Sequence, residues 1–371
     1  MRQTSFHGKL DYKLLGLVVC LILFGLLMLS SASSVISFHE HNGNSYYYFL
    51  RQLIFTLLGG GLAWWLSKID YQKFRRWAPG LLLVALLGLV VVLMPGFYVS
   101  AGATAKSWIN IFGWFSIQPA EFAKLGLIIY LAMLFSQRKE RAADWHYGFL
   151  PFVFLMLILS GLIMLQPDTG SLMILWVIGL TIFLAAGARW RQIALLVGAG
   201  ILGLMLLVQI SPYRIARFTA FLHPNEDKLG VAYHINQSLI AVGSGGFMGV
   251  GLGHSRQKFS YLPEVYSDSI FPVVAEEMGF VVCLAFVVLW ALISYRIYRL
   301  SARAPDDFGR LLALGIMVWF GFQALANIAS MLSLMPMTGI TLPFVSYGGS
   351  SILANMCALG IVFNISRQTV R

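Results

Sequence analysis

The chain has 371 residues, 58% hydrophobic and only 11% charged, with 27 Phe and 10 Trp. No soluble domain hides that much apolar surface, so a water-soluble globular enzyme is excluded and a polytopic helical membrane protein is indicated. The net charge of +11 does not point to nucleic acid, because the basic residues fall in short clusters between apolar runs, as membrane topology requires.

Apolar runs predict an all-α fold of ten transmembrane helices, near 14–33, 50–67, 78–97, 118–136, 148–165, 170–187, 190–210, 269–295, 309–333 and 343–366. The first run follows Arg2, Lys9 and Lys13, yet it is longer than the apolar core of a signal peptide and reads as a retained anchor. With the N-terminus inside, the cytoplasmic segments hold Arg2, Lys9, Lys13, Lys68, Lys73, Arg75, Arg76, Arg138, Lys139, Arg141, Arg189, Arg191, Arg296, Arg299, Arg303, Arg310, Arg367 and Arg371. The outer side keeps Arg51, Lys106, Arg214, Arg217, Lys228, Arg256 and Lys258, and Lys124 lies inside the fourth span. Both termini are thus expected in the cytoplasm. Residues 1–371 form one membrane domain without internal repeats. Cys20, Cys283 and Cys357 lie in apolar runs without metal-ligand spacing, so no metal site is predicted.

Among the outer groups, Arg51, Arg214 and Arg217 offer planar forks of donors suited to phosphate, against the alternative of lipid-headgroup anchoring. The fourth span opens with Gln118-Pro119-Ala120-Glu121. Pro119 suits a first helical turn, and Glu121 and Lys124 then share one face, either as an internal ion pair or as the lining of a substrate cavity. Asp168, in Gln166-Pro167-Asp168-Thr169-Gly170, is placed to cap the sixth span.

About 58 residues, Ser211 to Asp268, separate the seventh and eighth spans as a large extracytoplasmic loop. Within it, Tyr233 to Val242 reads as an amphipathic helix with Ile235, Leu239 and Ile240 on one side and His234, Asn236 and Gln237 near the other. Such a helix lies at the interface or over a cavity. Gly243-Ser244-Gly245-Gly246 and Gly249-Val250-Gly251-Leu252-Gly253 offer either a backbone nest for pyrophosphate or plain turns. No Walker lysine accompanies them, so a P-loop is not indicated. Gln237 and Ser244 are candidate substrate contacts.

Asp268 stands at the mouth of the eighth span. An ionisable group at membrane depth is costly unless paired or facing water, which makes this acid the first catalytic candidate. Glu276 and Glu277 follow about two turns later; adjacent helical residues point about 100° apart, so at most one shares its face. The other is expected to pair with an arginine or sit at a helix contact. Small residues in Pro343-Phe344-Val345-Ser346-Tyr347-Gly348-Gly349-Ser350-Ser351 permit close helix approach, and Ser346 or Ser350 is placed to bond across helices or to a sugar.

Leu262-Pro263-Glu264 with Ser267-Asp268, then Ala275-Glu276-Glu277-Met278-Gly279, resembles the SEDS family (shape, elongation, division and sporulation), which includes FtsW, RodA and SpoVE. Gln118-Pro119-Ala120-Glu121, Gln166-Pro167-Asp168, Gly230-Val231-Ala232-Tyr233-His234 and Ser346-Tyr347-Gly348-Gly349-Ser350-Ser351 agree with it. The resemblance implies a ten-span, inverting glycosyltransferase that polymerises lipid II into peptidoglycan at the outer face of the bacterial cytoplasmic membrane. A class B penicillin-binding protein is the implied partner, together with divisome or elongasome membrane proteins. Asp268 corresponds to the family's catalytic aspartate, and Arg51, Lys106, Arg214 and Arg217 become candidates for the departing diphosphate. A divalent cation, Mg or Mn, on that diphosphate is compatible with the chemistry, though no protein ligands for it stand out. Thr338-Gly339-Ile340-Thr341-Leu342-Pro343-Phe344 is more similar to division-type and sporulation-type members than to RodA. One departure is Lys106-Ser107-Trp108, where the family often has its basic residue directly before the tryptophan.

Two other classes compete with a polymerase. A lipid II flippase should show internal repeats, interrupted helices and a site at the midplane, whereas the ionisable groups here gather near the outer ends. A recruiting scaffold would tolerate loss of Asp268.

Overall fold

This computed structural model describes residues 10–96, 98–101, 105–111, 115–138, 141–210, 212–223, 230–259 and 261–369. They form α1 (Tyr12–Glu40), α2 (Tyr47–Leu66), α3 (Gln72–Val91), strands β1 (Tyr98–Ala101), β2 (Ala105–Ile111) and β3 (Phe115–Ile117), then α4 (Pro119–Gln137) and a π-helical turn (Trp145–Phe149). The chain continues through α5 (Leu150–Met164), α6 (Thr169–Ala185), α7 (Trp190–Ile210), α8 (Pro212–Leu222), α9 (Val231–Ser244), α10 (Ile270–Ala302), α11 (Asp307–Met331) and α12 (Gly349–Gln368). Among the described residues, eight helices are long and apolar enough to cross a membrane, and Thr169–Ala185 and Trp190–Gly203 are apolar but shorter.

Helix starts follow the capping chemistry. Asp11 accepts the amides of Lys13 and Leu14 at 3.1 and 3.0 Å, Asp306 accepts that of Gly309 at 3.1 Å, and Pro119 opens α4. Three expectations need correction. α3 begins at Gln72 rather than 78 and carries Arg75 and Arg76 in its opening turns. α12 begins at Gly349 rather than 343, because Pro343 to Gly348 turn instead of coiling. The membrane part is all-helical, but the connection before α4 adds an antiparallel sheet in the order β1-β2-β3, pairing Val99 with Trp108 and Ile109 with Ile117. Its β-branched and aromatic residues carry a strand signal that the search for long apolar runs passed over.

α4, α11 and α12 are largely enclosed, whereas α2, α3 and α10 turn broad apolar faces outward. α2 packs chiefly on α12, α3 on α4, and α10 on α11 and α1. Polar contacts sort the connections into two ends. At one, Asp11 binds Arg296 at 2.7 Å and its amide donates to Ser366, while Tyr71 bonds both Asn364 and Asp306. The segments grouped as cytoplasmic by charge meet there, and the first and last described helices meet with them. At the other end Gln52 bonds Ser346, Gln118 bonds Ser350 and Asp168, and Tyr347 bonds Tyr266.

The long connection contains α8, which the sequence did not reveal, and α9, which it did. In α9 the inward stripe is Ala232, Ile235, Ser238 and Ala241, while Leu239 and Ile240 are exposed. That corrects the expected apolar face: small residues let α9 approach α10 closely, and the larger side chains point away from the protein, as lipid contact permits. Beyond α9 the glycine-rich segment is stitched into α10. There Gly279 has φ +74° and interrupts the helix. The carbonyls of Glu276 and Glu277 accept the amides of Val250 and Gly251, and the amides of Phe280 and Val281 donate to Gly246 and Phe247. A Cβ on Gly249 would lie 2.2 Å from the Glu277 carbonyl oxygen, so only glycine fits. Gly245 and Gly249 serve backbone approach, and the loop supplies the hydrogen bonds that the broken helix lacks.

Candidate active site

Asp268 sits in the turn that feeds α10. Glu264, with φ +49°, starts that turn, and its carbonyl accepts the amides of Ser267 and Ser269 at 3.0 and 3.2 Å. The Asp268 carbonyl accepts Asn327 Nδ2 at 2.8 Å, and the same nitrogen donates to Ile340 O at 2.8 Å. α11 therefore staples Asp268 to the segment before α12. The half-buried carboxylate takes one side-chain hydrogen bond among the described residues, from Ser269 Oγ to Oδ1 at 3.3 Å. Ser269 Oγ also lies 2.5 Å from His234 Nε2.

The other carboxylate oxygen faces a cation. Arg217, on α8, donates through Nη1 to Met337 O at 3.2 Å. A Cβ built on Gly339 would be 3.7 Å from Asp268 Oδ2 and 3.8 Å from Arg217 Nη2. Gly339 has φ +69°, so glycine suits the backbone there, and a side chain at this position would press on both the acid and the arginine. Burial, and then the charge of Glu264, push the Asp268 carboxyl up from 3.8 to about 7; Ser269 and Arg217 oppose this without cancelling it. A base poised near neutrality suits proton transfer from a hydroxyl. Burial and the Arg217 charge lower His234 to about 4, so its imidazole is neutral at physiological pH.

Other candidates occupy distinct places. Arg51 Nη1 meets Tyr47 Oη at 2.7 Å, beside Tyr48, which stacks on Tyr266 at 4.5 Å, two residues from the acid. Arg214 lies against Met164 Sδ at 3.9 Å. Lys106 is on β2, and its side chain falls outside the described residues, as do Arg2, Lys9, Lys139, Lys228 and Arg371. Gln237 is half-buried one turn beyond His234, and Ser244 Oγ donates back to Ala241 O at 2.9 Å. Ser346 Oγ accepts Leu342 N at 2.9 Å and so closes a turn. Lys124 Nζ binds Glu121 Oε1 and Gln323 Oε1, each at 2.8 Å, inside the bundle. Asp168 caps α6 through Ser171 N at 2.9 Å.

Glu276 and Glu277 both tie down the loop before Asp268. Glu276 takes Ser255 Oγ and the Arg256 amide, and Glu277 takes Ser31 Oγ and Lys258 Nζ, the latter at 3.0 Å. Of the two alternatives, the arginine partner is replaced by Lys258, and the helix contact is present as the bond from Ser31 of α1 to Glu277 of α10. Among the described residues no three His, Cys, Asp or Glu side chains gather as metal ligands. Sequence reasoning missed the roles of Ser269, Asn327 and Gly339 and the contact of His234. A buried amide within the span of α11 was the available signal for Asn327.

Long apolar helices whose ionisable groups lie mostly in the connections define a multi-pass membrane protein. A family model described as "Cell cycle protein", covering FtsW, RodA and SpoVE, matches residues 12–371. The chain belongs to this family, the SEDS family. It is 41% identical to the probable peptidoglycan glycosyltransferase FtsW of Trichlorobacter lovleyi over 99% of this chain and 95% of that one. Identity to the stage V sporulation protein E of Bacillus subtilis is 38%, over 99% of this chain and all of that one. Among solved structures, a chain described under the structural coordination of polymerization and crosslinking by a peptidoglycan synthase complex superposes with TM-score 0.78 at 29% identity, covering 96% and 98% of the two chains. The Thermus thermophilus rod shape determining protein RodA does so with TM-score 0.71 at 27% identity, covering 98% of each.

Proposed function

We propose that this protein is an inverting peptidoglycan glycosyltransferase that polymerises lipid II at the outer face of the bacterial cytoplasmic membrane, with Asp268 as general base. The observation that carries the reading is the half-buried Asp268 carboxylate, poised near neutrality with Arg217 beside it at Gly339. Oδ2 takes the proton of the acceptor hydroxyl as that oxygen bonds to the anomeric carbon. The bond from that carbon to the diphosphate breaks on the opposite face, inverting the centre in a single displacement. Arg217, with Arg51, Arg214 and Lys106 as further candidates, neutralises the departing diphosphate. Likeness to FtsW and SpoVE supports a role in division or sporulation over elongation.

The decisive comparison is glycan-strand synthesis from lipid II by wild-type protein and a well-folded Asp268→Asn variant with the same partner. Loss of about 10²–10⁴ in rate is expected. Equal product would sink the reading, and continued lipid movement without polymer would favour a flippase.

Ten spans, both termini cytoplasmic and an extracytoplasmic 211–268 loop complete the proposal. His254 and Arg303 are both exposed, whereas Ser255 is buried against Glu276 and unsuited to labelling. In a cysteine-free background, His254→Cys should react with an impermeant thiol reagent in intact cells and Arg303→Cys only after permeabilisation; the reverse pattern would overturn the orientation. A class B penicillin-binding protein is the proposed partner, supported by the similar chain found in a peptidoglycan synthase complex. It should co-purify with this protein and accelerate polymerisation.

A further inference from the structure

Ser269 occupies the N-cap of α10, where a serine hydroxyl ordinarily accepts an amide of the first turn. It makes no such bond here. Its Oγ instead lies between His234 Nε2, at 2.5 Å, and Asp268 Oδ1, at 3.3 Å. A cap has been diverted towards the acid, and a broken local rule of this kind marks function.

Proton counting fixes the direction of these two bonds. An ionised carboxylate only accepts and a serine hydroxyl has one proton, so Ser269 must donate to Oδ1 whenever Asp268 is the base. His234 must then donate Nε2–H to Ser269, a tautomer assigned from the network. Oδ2 is left on the side of Gly339 and Arg217.

We propose that His234 and Ser269 are positioning residues that commit Oδ1 of Asp268 to the protein and leave Oδ2 as the single basic oxygen offered to the acceptor hydroxyl. The proposal rests on Asp268 being the base. Charged and titratable groups face this acid from three elements: Glu264 on its own turn, Arg217 from α8 and His234 from α9. α11 presents the uncharged amide of Asn327, and the segment before α12 presents Gly339. His234 stays neutral while Asp268 titrates, so it acts by donating a hydrogen bond and not by carrying a proton away.

The test is kcat/KM for lipid II polymerisation against pH, using the purified full chain with its partner, for wild type, Ser269→Ala, His234→Ala and His234→Gln. Removing a hydrogen bond to the ionised form raises the carboxyl pKa, so Ser269→Ala should move the acid limb upward by about one pH unit, and His234→Ala, which leaves Ser269 free to turn away from Oδ1, should move it the same way by less. kcat should fall more than KM rises. Glutamine places an amide nitrogen near the position of Nε2, and its acid limb should stay with wild type. Acid limbs at the wild-type pH in both alanine variants would overturn the proposal, and so would a glutamine variant displaced as far as alanine. If Ser269→Ala does not fold, the His234 pair decides alone. Asp268→Asn in the same preparations separates the two ideas: retained polymerisation defeats the base, whereas an inactive Asn variant beside unmoved limbs defeats only the positioning role.

Discussion

Two acid–cation pairs in this molecule use similar residues and are held in opposite ways. Inside the bundle, Lys124 binds Glu121 with side chains 1% and 4% exposed; Gln323 Oε1 accepts from Lys124 Nζ and from Trp319 Nε1, each at 2.8 Å. At the end away from the Asp11–Arg296 pair, Asp268 Oδ2 and Arg217 Nη2 both lie beside Gly339, and among the described residues the carboxylate accepts a side-chain hydrogen bond from Ser269. A buried pair braced by neighbouring groups is costly to break, because removing one partner strands the other charge. An acid with one oxygen uncommitted has the capacity that proton transfer needs. Composition alone does not separate the two; what each oxygen already touches does.

Exchanging a residue in each pair should give opposite signatures. Asp268→Asn should abolish measurable polymerisation while leaving thermal unfolding in detergent unchanged. Lys124→Met strands Glu121 without its cation, which typically costs about 3–5 kcal/mol, so a large fall in Tm is expected, largely recovered by adding Glu121→Gln. A Lys124→Met protein with wild-type Tm and lost turnover would place that pair in the substrate path. Smaller effects sharpen the Asp268–Arg217 pair. Arg217→Lys keeps charge but loses the planar fork, and kcat/KM should fall about tenfold. Arg214→Lys should fall less, since that guanidinium lies against Met164 Sδ. Smallest is Glu264→Gln. Its negative charge helps hold Asp268 up at about 7, so neutralising it lowers the acid's pKa and extends activity to lower pH, read as a downward move of the acid limb.

Helices were legible in the sequence because each has a local signature: long apolar runs, Pro119 at a first turn, Asp168 before a span; Asp268 stood out as a candidate by its place at a span mouth. The sheet before α4 was not, since its three strands are short and lie between longer signals. The inward face of α9 was misread because lipid rewards outward-facing Leu239 and Ile240, which a rule made for water places inside. The surroundings of Asp268 escaped for a different reason. Ser269, His234, Asn327 and Gly339 come from separated segments, and only tertiary folding brings them together.

The interruption at Gly279 has a consequence for hydrogen exchange. Val250 and Gly251 belong to a loop by sequence, yet their amides are held by carbonyls of a membrane helix, while the Phe280 and Val281 amides depend on that loop in return. None of the four can open without disturbing the others, so they should exchange as one slow cooperative unit in detergent or nanodiscs. Loop and helix are kinetically a single element there, and exchange at Val250 and Gly251 as fast as at exposed turns would show that they are not.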